Sequence, residues 1–258
     1  MPVDLTHAKA LYFDIYATLI DWEAGIYPQL LSLSQRAAFP ENRLEDTPES
    51  RTKLLRAFAA HDKVVGHENP TVPYSQIIQK IYARIAQDLG AEVSQEDQRA
   101  FGNSIGDWPA FPDTVQAMQI LGKYYKLFVL SNVDNASFDR TRTGPLNGVH
   151  WDGIYTAEMI GSYKPNPNNY NYVVQRLKED FSIPKDEILL VAQSLDIDHV
   201  SNKALGFRPG IWIARNGSSM GGIKRELEQQ GLLELGETYS TLGEMAQAVE
   251  KSFESKGT

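Results

Sequence analysis

Short apolar runs that end in polar residues recur along this chain of 258 residues, and they constrain its fold more than any other feature. Four such runs are typical of buried strands: residues 8–14 (AKALYFD), 125–132 (YKLFVLSN), 187–194 (EILLVAQS) and 210–215 (GIWIAR). Amphipathic helical patterns lie between them, at residues 114–122 and 169–181. Strands that alternate with helices predict an α/β fold in which a parallel sheet carries helices on its faces.

The stretch from residue 21 to residue 110 differs, because it contains helical patterns and lacks β-rich runs. It predicts an all-helical cap inserted after the first strand. The prolines at positions 109 and 112 interrupt helix and mark a return hinge into the sheet domain. We therefore expect a catalytic core formed by residues 1–20 and 111–258, and a helical cap formed by residues 21–110 that spans the site.

Charge and composition restrict the class of partner and the chemistry. The net charge of −8, from 25 basic and 33 acidic residues, disfavours nucleic acid and anionic membranes. The chain has no cysteine, which excludes thiolate catalysis and Cys-ligated zinc. It has no apolar run of about 18 residues and no signal-like start, so a cytoplasmic location is the expectation. A small anionic substrate would need local positive charge.

Polar residues at two strand ends are the first candidates for chemistry. Asp14 ends the first run, and Thr18 follows four residues later. Ser131 and Asn132 end the second run, and both side chains are able to donate hydrogen bonds to a carboxylate or an oxyanion. Each feature also fits ordinary turn chemistry. In a parallel sheet, however, ligands gather beyond the carboxyl ends of the strands, which is where these residues are predicted to lie.

Two further candidates come later in the chain. Lys164 precedes Pro165, and its ammonium is suited to holding Asp14 ionised, although a solvated loop lysine is the alternative. Ser194 ends the third run, and the acids Asp196 and Asp198 follow within one turn. An acid here is able to activate water or bind a cation, but acids at a helix start are also favoured by the helix dipole.

The order of these features resembles the haloacid dehalogenase superfamily: an Asp at the first strand, Ser/Asn at the second, a Lys-Pro pair, and an acidic turn after another strand. The resemblance extends from Tyr12 to Arg215 and implies a Rossmann-like core with a helical cap. Flanking segments such as DWPAFPDT and GSYKPNPNNY are similar to a dehalogenase-type subgroup, especially its fungal members. By this resemblance the chain is an aspartate-nucleophile hydrolase.

The branch within the superfamily follows from two positions. Phosphatases of the superfamily have a second acid two residues after the nucleophile, and here that position is Tyr16, whose phenol is a poor proton donor at neutral pH. Metal-dependent members carry an Asp where this chain has Ser194. The pattern is similar to that of the 2-haloacid dehalogenases, so no metal or other cofactor is expected. Asp196 partly compensates for the lost acid, which keeps Mg²⁺ open under the phosphatase alternative.

The resemblance implies a role for each residue. Asp14 attacks C2 of a 2-haloalkanoate and forms an aspartyl ester, while Lys164 pairs with Asp14 and Asp198 activates the water that cleaves the ester. The residues assigned to substrate binding are Tyr16, Thr18, Ser131, Asn132 and Ser194. Arg51 and Arg56 are candidates for holding the substrate carboxylate, against the alternative of surface helix arginines. His199 is expected on a helix surface.

Two departures from the dehalogenase pattern keep other functions open. Ala17 replaces the usual glycine before Thr18, and Leu195 stands where dehalogenases tend to have Asn. The alternatives are a Mg²⁺-dependent phosphatase of small metabolites and a catalytically inactive binding relative that has kept the fold. Homodimers are common among related proteins, so a homodimer is one assembly compatible with the resemblance.

Overall fold

A six-stranded parallel sheet forms the centre of the protein, described by a computed structural model for residues 3–215 and 221–256. Residues 1–2, 216–220 and 257–258, which belong to the predicted core, lie outside the described residues. The strands are β1 (Ala10–Phe13), β2 (Lys126–Ser131), β3 (Gly153–Thr156), β4 (Ile188–Ala192), β5 (Gly210–Ile213) and β6 (Leu235–Tyr239). Their order across the sheet is β3-β2-β1-β4-β5-β6. This architecture confirms the predicted Rossmann-like α/β fold.

The central strands are buried on both faces, which explains their continuous apolar sequences. Along β1, Leu11 and Phe13 face one hydrophobic cluster, and Ala10 and Tyr12 face another on the opposite side of the sheet. The two strands that the sequence pattern missed, β3 and β6, lie at the edges and contain partly exposed residues. Because the side chains of these strands are partly exposed to solvent, the strands do not need an unbroken apolar run.

The described residues contain eleven α-helices. They are α1 (Trp22–Ser34), α2 (Pro48–Glu68), α3 (Tyr74–Leu89), α4 (Gln95–Asn103), α5 (Thr114–Leu121), α6 (Asn135–Thr143), α7 (Ala157–Ile160), α8 (Pro167–Phe181), α9 (Val200–Ala204), α10 (Lys224–Gln229) and α11 (Leu242–Lys256). A π-helical turn, Leu195–His199, connects β4 to α9. None of these helices combines the length and the apolar character needed to cross a membrane.

Helices α1 to α4 all lie between β1 and α5, in the stretch predicted to be helical. Helix α3 buries Ile78, Ile81 and Ile85, an i, i+3, i+7 pattern, and ends at Gly90 in the left-handed conformation. Helix α4 begins with a capping box in which Ser94 and Asp97 bond each other's backbone N–H groups. Local sequence thus fixes these helix ends, while the division into cap and core at residues 20 and 110 stays a prediction.

The register of the sheet brings the strand ends together. Phe13 of β1 pairs with Val129 of β2 on one side and with Val191 of β4 on the other. The residues that follow these positions therefore project from the same carboxyl edge of the sheet. The polar residues predicted to carry the chemistry lie at this edge.

Candidate active site

Asp14 is the first residue beyond β1, and its carboxylate is held at both oxygens. Lys164 Nζ donates to Oδ1 at 2.8 Å, and Thr18 Oγ1 donates to Oδ2 at 2.8 Å. The Asp14 side chain keeps 12% of its surface exposed, whereas the Lys164 side chain keeps 2%. The carboxylate is thus oriented by two donors and keeps a small part of its surface exposed.

Asp198 shares the same ammonium group. Lys164 Nζ donates to Asp198 Oδ1 at 2.8 Å, so one lysine bridges two carboxylates from different strand ends. Asp198 lies in the π-helical turn after β4, and its side chain is 2% exposed. The structure therefore brings Asp14, Lys164 and Asp198, separated by up to 184 positions in the chain, into one cluster.

Burial and charge act against each other in this cluster. Burial disfavours the charged form of Lys164, but the nearby carboxylates of Asp14 and Asp198 more than offset this and raise the pKa of Lys164. Burial raises the pKa of Asp198 to about 7, although Lys164 opposes the shift. The lysine therefore stays cationic near neutral pH. Asp198, in contrast, changes its protonation state near neutral pH.

Thr18 connects the loop after Asp14 to the end of β4, the neighbouring strand in the sheet. Its hydroxyl donates to Asp14 and accepts the backbone N–H of Gln193, which follows β4, at 2.9 Å. The Thr18 side chain is fully buried. Because both hydrogen bonds are made by one atom, the side chain has a single orientation, and this orientation fixes the Asp14 carboxylate.

Asn132 holds the lysine in place through its backbone. The Asn132 side chain accepts the Lys164 N–H at 2.7 Å and donates to the Lys164 carbonyl at 2.9 Å. Next to it, Ser131 Oγ is buried and has no hydrogen-bond partner among the described residues. The amide of Asn132 thus supports the lysine, and the hydroxyl of Ser131 keeps its hydrogen-bonding capacity unused among the described residues.

Tyr16 lies two residues after Asp14, and its hydroxyl is 2.9 Å from Thr141 Oγ1 in α6. Its ring meets the indole of Trp108 edge-on at 5.8 Å between centroids. Burial, with smaller contributions from Asp134 and Asp14, raises the pKa of Tyr16 well above that of a free phenol. The Tyr16 hydroxyl is therefore neutral near neutral pH, and it is an even weaker acid than the phenol of an exposed tyrosine.

The side-chain oxygens of Ser194 and Asp196, which follow β4, make hydrogen bonds within the turn itself. Ser194 Oγ donates to Asp196 Oδ1 at 2.9 Å and accepts the N–H of Ile197, which makes it the cap of the π-helical turn. Asp196 is exposed and also accepts the Ile197 N–H. Within residues 3–215 and 221–256, no group of three His, Asp or Glu side chains is arranged to hold a metal ion.

Two arginines of α2 fit the alternative of surface helix residues, and one histidine lies elsewhere than expected. Arg51 pairs with Glu23 at 3.3 Å and lies over the ring of Tyr27, and Arg56 is exposed at an open surface cavity of α2. Neither side chain contacts the Asp14 cluster among the described residues. The expectation for His199 was wrong, because its ring is fully buried and its Nε2 lies 3.1 Å from the Ala192 carbonyl oxygen.

Two residues at the site were missed. Tyr170 of α8 is buried, and its hydroxyl donates to the Ile197 carbonyl at 2.9 Å, beside Asp198. Arg215 follows β5 and donates from Nε to the Thr18 carbonyl at 2.9 Å. The sequence did contain a signal for Arg215, which is a charged residue at the end of an apolar run. The same kind of signal identified Asp14. Tyr170 lies on the predicted apolar face of a helix, so the sequence pattern indicated a core residue and not a residue of the site.

Solved structures with the same fold include several dehalogenases. An L-2-haloacid dehalogenase is 21% identical with a TM-score of 0.69, and the match covers 95% of this chain and 99% of that one. The L-2-haloacid dehalogenase from Xanthobacter autotrophicus is 17% identical with a TM-score of 0.70, covering 94% and 98%. That enzyme has also been solved with chloropropionic acid covalently bound. A HAD-hydrolase from Bacillus subtilis bound to magnesium is 14% identical with a TM-score of 0.64, covering 94% and 98%.

Comparison with curated proteins found no match. A family model described as haloacid dehalogenase-like hydrolase matches residues 8–192, which is well over half of the chain and contains Asp14, Thr18, Asn132 and Lys164. The chain belongs to the haloacid dehalogenase-like hydrolase family, and it is a hydrolase with the Rossmann-like fold of that family.

Proposed function

We propose that the protein hydrolyses carbon–halogen bonds of small anionic 2-haloalkanoates through an ester on Asp14. The observation that carries this proposal is the Asp14 carboxylate, which is held at one oxygen by Lys164 and at the other by Thr18, with Asp198 on the same ammonium. A carboxylate fixed in this way is oriented for attack on carbon. The covalent chloropropionic acid complex of the structurally similar Xanthobacter enzyme supports the same chemistry.

In the first step, an oxygen of Asp14 forms a bond to C2 of the substrate, and the halide leaves with the electron pair of the carbon–halogen bond. In the second step, Asp198 takes a proton from water, and the oxygen of that water forms a bond to the carbonyl carbon of the ester. The bond between this carbon and the substrate oxygen then breaks, Asp198 returns the proton to the leaving alkoxide, and Asp14 is regenerated. The products are a 2-hydroxyalkanoate, a halide ion and a proton. Ser131 Oγ, free of other partners among the described residues, is positioned to donate to the substrate.

Tyr16 favours dehalogenation over phosphate ester hydrolysis. An alcohol leaving from a phosphate ester needs a proton, and the Tyr16 phenol is bonded to Thr141 with its pKa raised by burial. A halide leaves as an anion and needs no proton. The ammonium of Lys164 between the two carboxylates supports catalysis without a metal ion. A magnesium-dependent phosphatase and an inactive binding relative are the outcomes that the test must distinguish.

The test is turnover of 2-chloropropionate in heavy-oxygen water without added metal, followed by mass spectrometry of the Asp14 peptide. Label in the Asp14 carboxylate and release of chloride are the expected results, and Asp14→Asn abolishes both. Asp196→Asn, at an exposed acid two residues from Asp198, is the matched control and keeps both. Magnesium-stimulated release of p-nitrophenol from its phosphate with no chloride release would refute the dehalogenase proposal. The absence of any covalent adduct across a haloacid panel would favour the inactive relative.

A further inference from the structure

Arg215 is the feature outside the proposed reaction that most directly touches the nucleophile loop. Its side chain is 3% exposed and makes an ion pair from Nη1 to Asp113 Oδ1 at 2.6 Å. Its Nε donates to the carbonyl of Thr18 at 2.9 Å, and its Nη2 lies 3.4 Å from Thr114 Oγ1. The guanidinium also lies 4.0 Å from the ring centre of Phe111. A single planar group thus holds four different residues.

These contacts join the chain segments that leave and enter the sheet domain. Thr18 belongs to the loop between β1 and α1, and residues 111–114 end the segment that returns to the sheet domain, with Thr114 as the first residue of α5. The two segments also bond each other directly, since the Leu19 carbonyl accepts the Phe111 N–H at 3.0 Å and the Thr114 hydroxyl at 2.9 Å. Arg215 therefore lies where both segments meet.

Asp113 is itself fixed, which makes it a firm anchor for the guanidinium. Its Oδ2 accepts the backbone N–H of Gly243, in the first turn of α11, at 2.9 Å, while its Oδ1 pairs with Arg215. One carboxylate therefore links a helix of the core to the arginine. Because Arg215 bonds both Asp113 and the Thr18 carbonyl, the position of this carbonyl is fixed relative to α11.

The loop that Arg215 holds contains an unfavourable backbone conformation. Ala17 has a φ of 76°, in the left-handed region that residues with a Cβ atom disfavour, and Arg215 itself has a φ of 47°. Such conformations persist where surrounding contacts impose them, and they concentrate at functional sites. The residue after Ala17 is Thr18, whose hydroxyl aims one oxygen of Asp14. The orientation of the nucleophile thus depends on a loop that needs external support.

We infer that Arg215 is a positioning residue for the nucleophile. It fixes the Thr18 peptide against the returning segment, so that the Thr18 hydroxyl points at Asp14 Oδ2 and the Gln193 N–H at the same time. The inference rests on the proposed function of Asp14. Arg215 makes no contact with the Asp14 carboxylate among the described residues, and it acts through Thr18.

The fork of the guanidinium is essential to this role. Nε reaches the Thr18 carbonyl while Nη1 reaches Asp113, two directions that the single ammonium of a lysine does not serve at once. Arg215→Met is expected to lower kcat about 100-fold with KM within about threefold, since a displacement of the nucleophile slows the chemical step more than it weakens substrate binding. Arg215→Lys keeps the ion pair with Asp113 and is expected to recover about tenfold of that loss.

The experiment combines kinetics with hydrogen–deuterium exchange of the unliganded protein. Arg215→Met is expected to speed exchange in the peptide of residues 14–21, where the N–H groups of Leu19 and Ile20 bond the Ile15 carbonyl. Arg208→Met is the matched control, because Arg208 precedes β5, bonds the carbonyls of Asp186 and Asp4, and is expected to leave kcat and this peptide unchanged. If Arg215→Met unfolds, Arg215→Lys and Asp113→Asn provide the same two measurements.

A kcat of these variants within about twofold of wild type, or unchanged exchange in residues 14–21, would overturn the inference. A fall in kcat no larger than the fall in the folded fraction, measured by circular dichroism, would overturn it too, since that indicates a structural role alone. Exchange is measured without turnover, so it tests the hold on the loop even if wild type releases no halide. Failure of the wild-type protein to release halide refutes the proposed function, whereas failure of the Arg215 variants to differ refutes this inference.

Discussion

The ammonium of Lys164 between two buried carboxylates gives the strongest test of how the site is held together. Lys164→Met keeps most of the side-chain volume and removes the charge. At 2.8 Å from an oxygen of Asp14 and of Asp198, each contact carries about 6 kcal/mol of Coulomb attraction at an effective dielectric of about 20. The cost of burying the charges offsets much of this, and removing one partner of a buried ion pair costs about 3 to 5 kcal/mol.

The loss of stability in Lys164→Met is expected to depend on pH. Without the ammonium, Asp198 loses the cation that opposes the effect of burial, so its pKa in the folded protein increases further above the value of about 4 in the unfolded chain. The folded variant then binds protons more tightly than the unfolded chain, so acid favours folding. Relative to wild type, the loss should therefore be about 3 to 5 kcal/mol at about pH 8 and at least about 1 kcal/mol smaller at about pH 5.

Urea unfolding followed by circular dichroism at the two pH values measures this effect. Lys126→Met is the matched control, because Lys126 pairs with Asp152 at 2.9 Å but its side chain is 47% exposed. The control is expected to lose less than about 1 kcal/mol with little pH dependence. If Lys164→Met loses no more free energy of unfolding than Lys126→Met, or if its loss does not change with pH, the reasoning about the buried triad is wrong.

Three further outcomes are expected. The rate of ester hydrolysis should increase as pH rises through about 7, because burial raises the pKa of Asp198 to about 7 and only the ionised form accepts a proton from water; a flat single-turnover profile would contradict this. Burial lowers the pKa of His199 to about 4, whereas the value in the unfolded chain is about 6.5. Because the unfolded chain binds this proton more tightly, His199 should lower the free energy of unfolding by about 3 kcal/mol as pH falls from about 6.5 to about 4. His199→Gln should reduce this fall and the exposed control His150→Gln should not, as measured by unfolding at each pH. Asn132→Leu removes both hydrogen bonds to the Lys164 backbone, so we expect a loss of about 2 kcal/mol and a lower kcat; unchanged thermal unfolding would refute that role.

The sequence determined the fold class and the main members of the site. Strands β1, β2, β4 and β5 lie within the four apolar runs, because central parallel strands are buried on both faces and must be apolar throughout. Asp14, Thr18, Asn132, Lys164 and Asp198 were also named from the sequence, since parallel strands place their carboxyl ends at one edge. The edge strands β3 and β6 were not found, because their side chains are partly exposed and do not need to be apolar throughout. The cap boundaries, the fungal-type subgroup and the residue roles stay predictions.

Only the tertiary structure determined which side-chain atoms form hydrogen bonds with each other. The sequence assigned Asn132 to substrate, and the fold joins its amide to the Lys164 backbone. The sequence placed His199 on a surface, and the fold buries it. No pattern indicated that Arg215 would reach Thr18, 197 positions earlier. Sequence periodicity records which faces are apolar, but hydrogen-bond partners far apart in the chain are chosen by how the strands and helices pack.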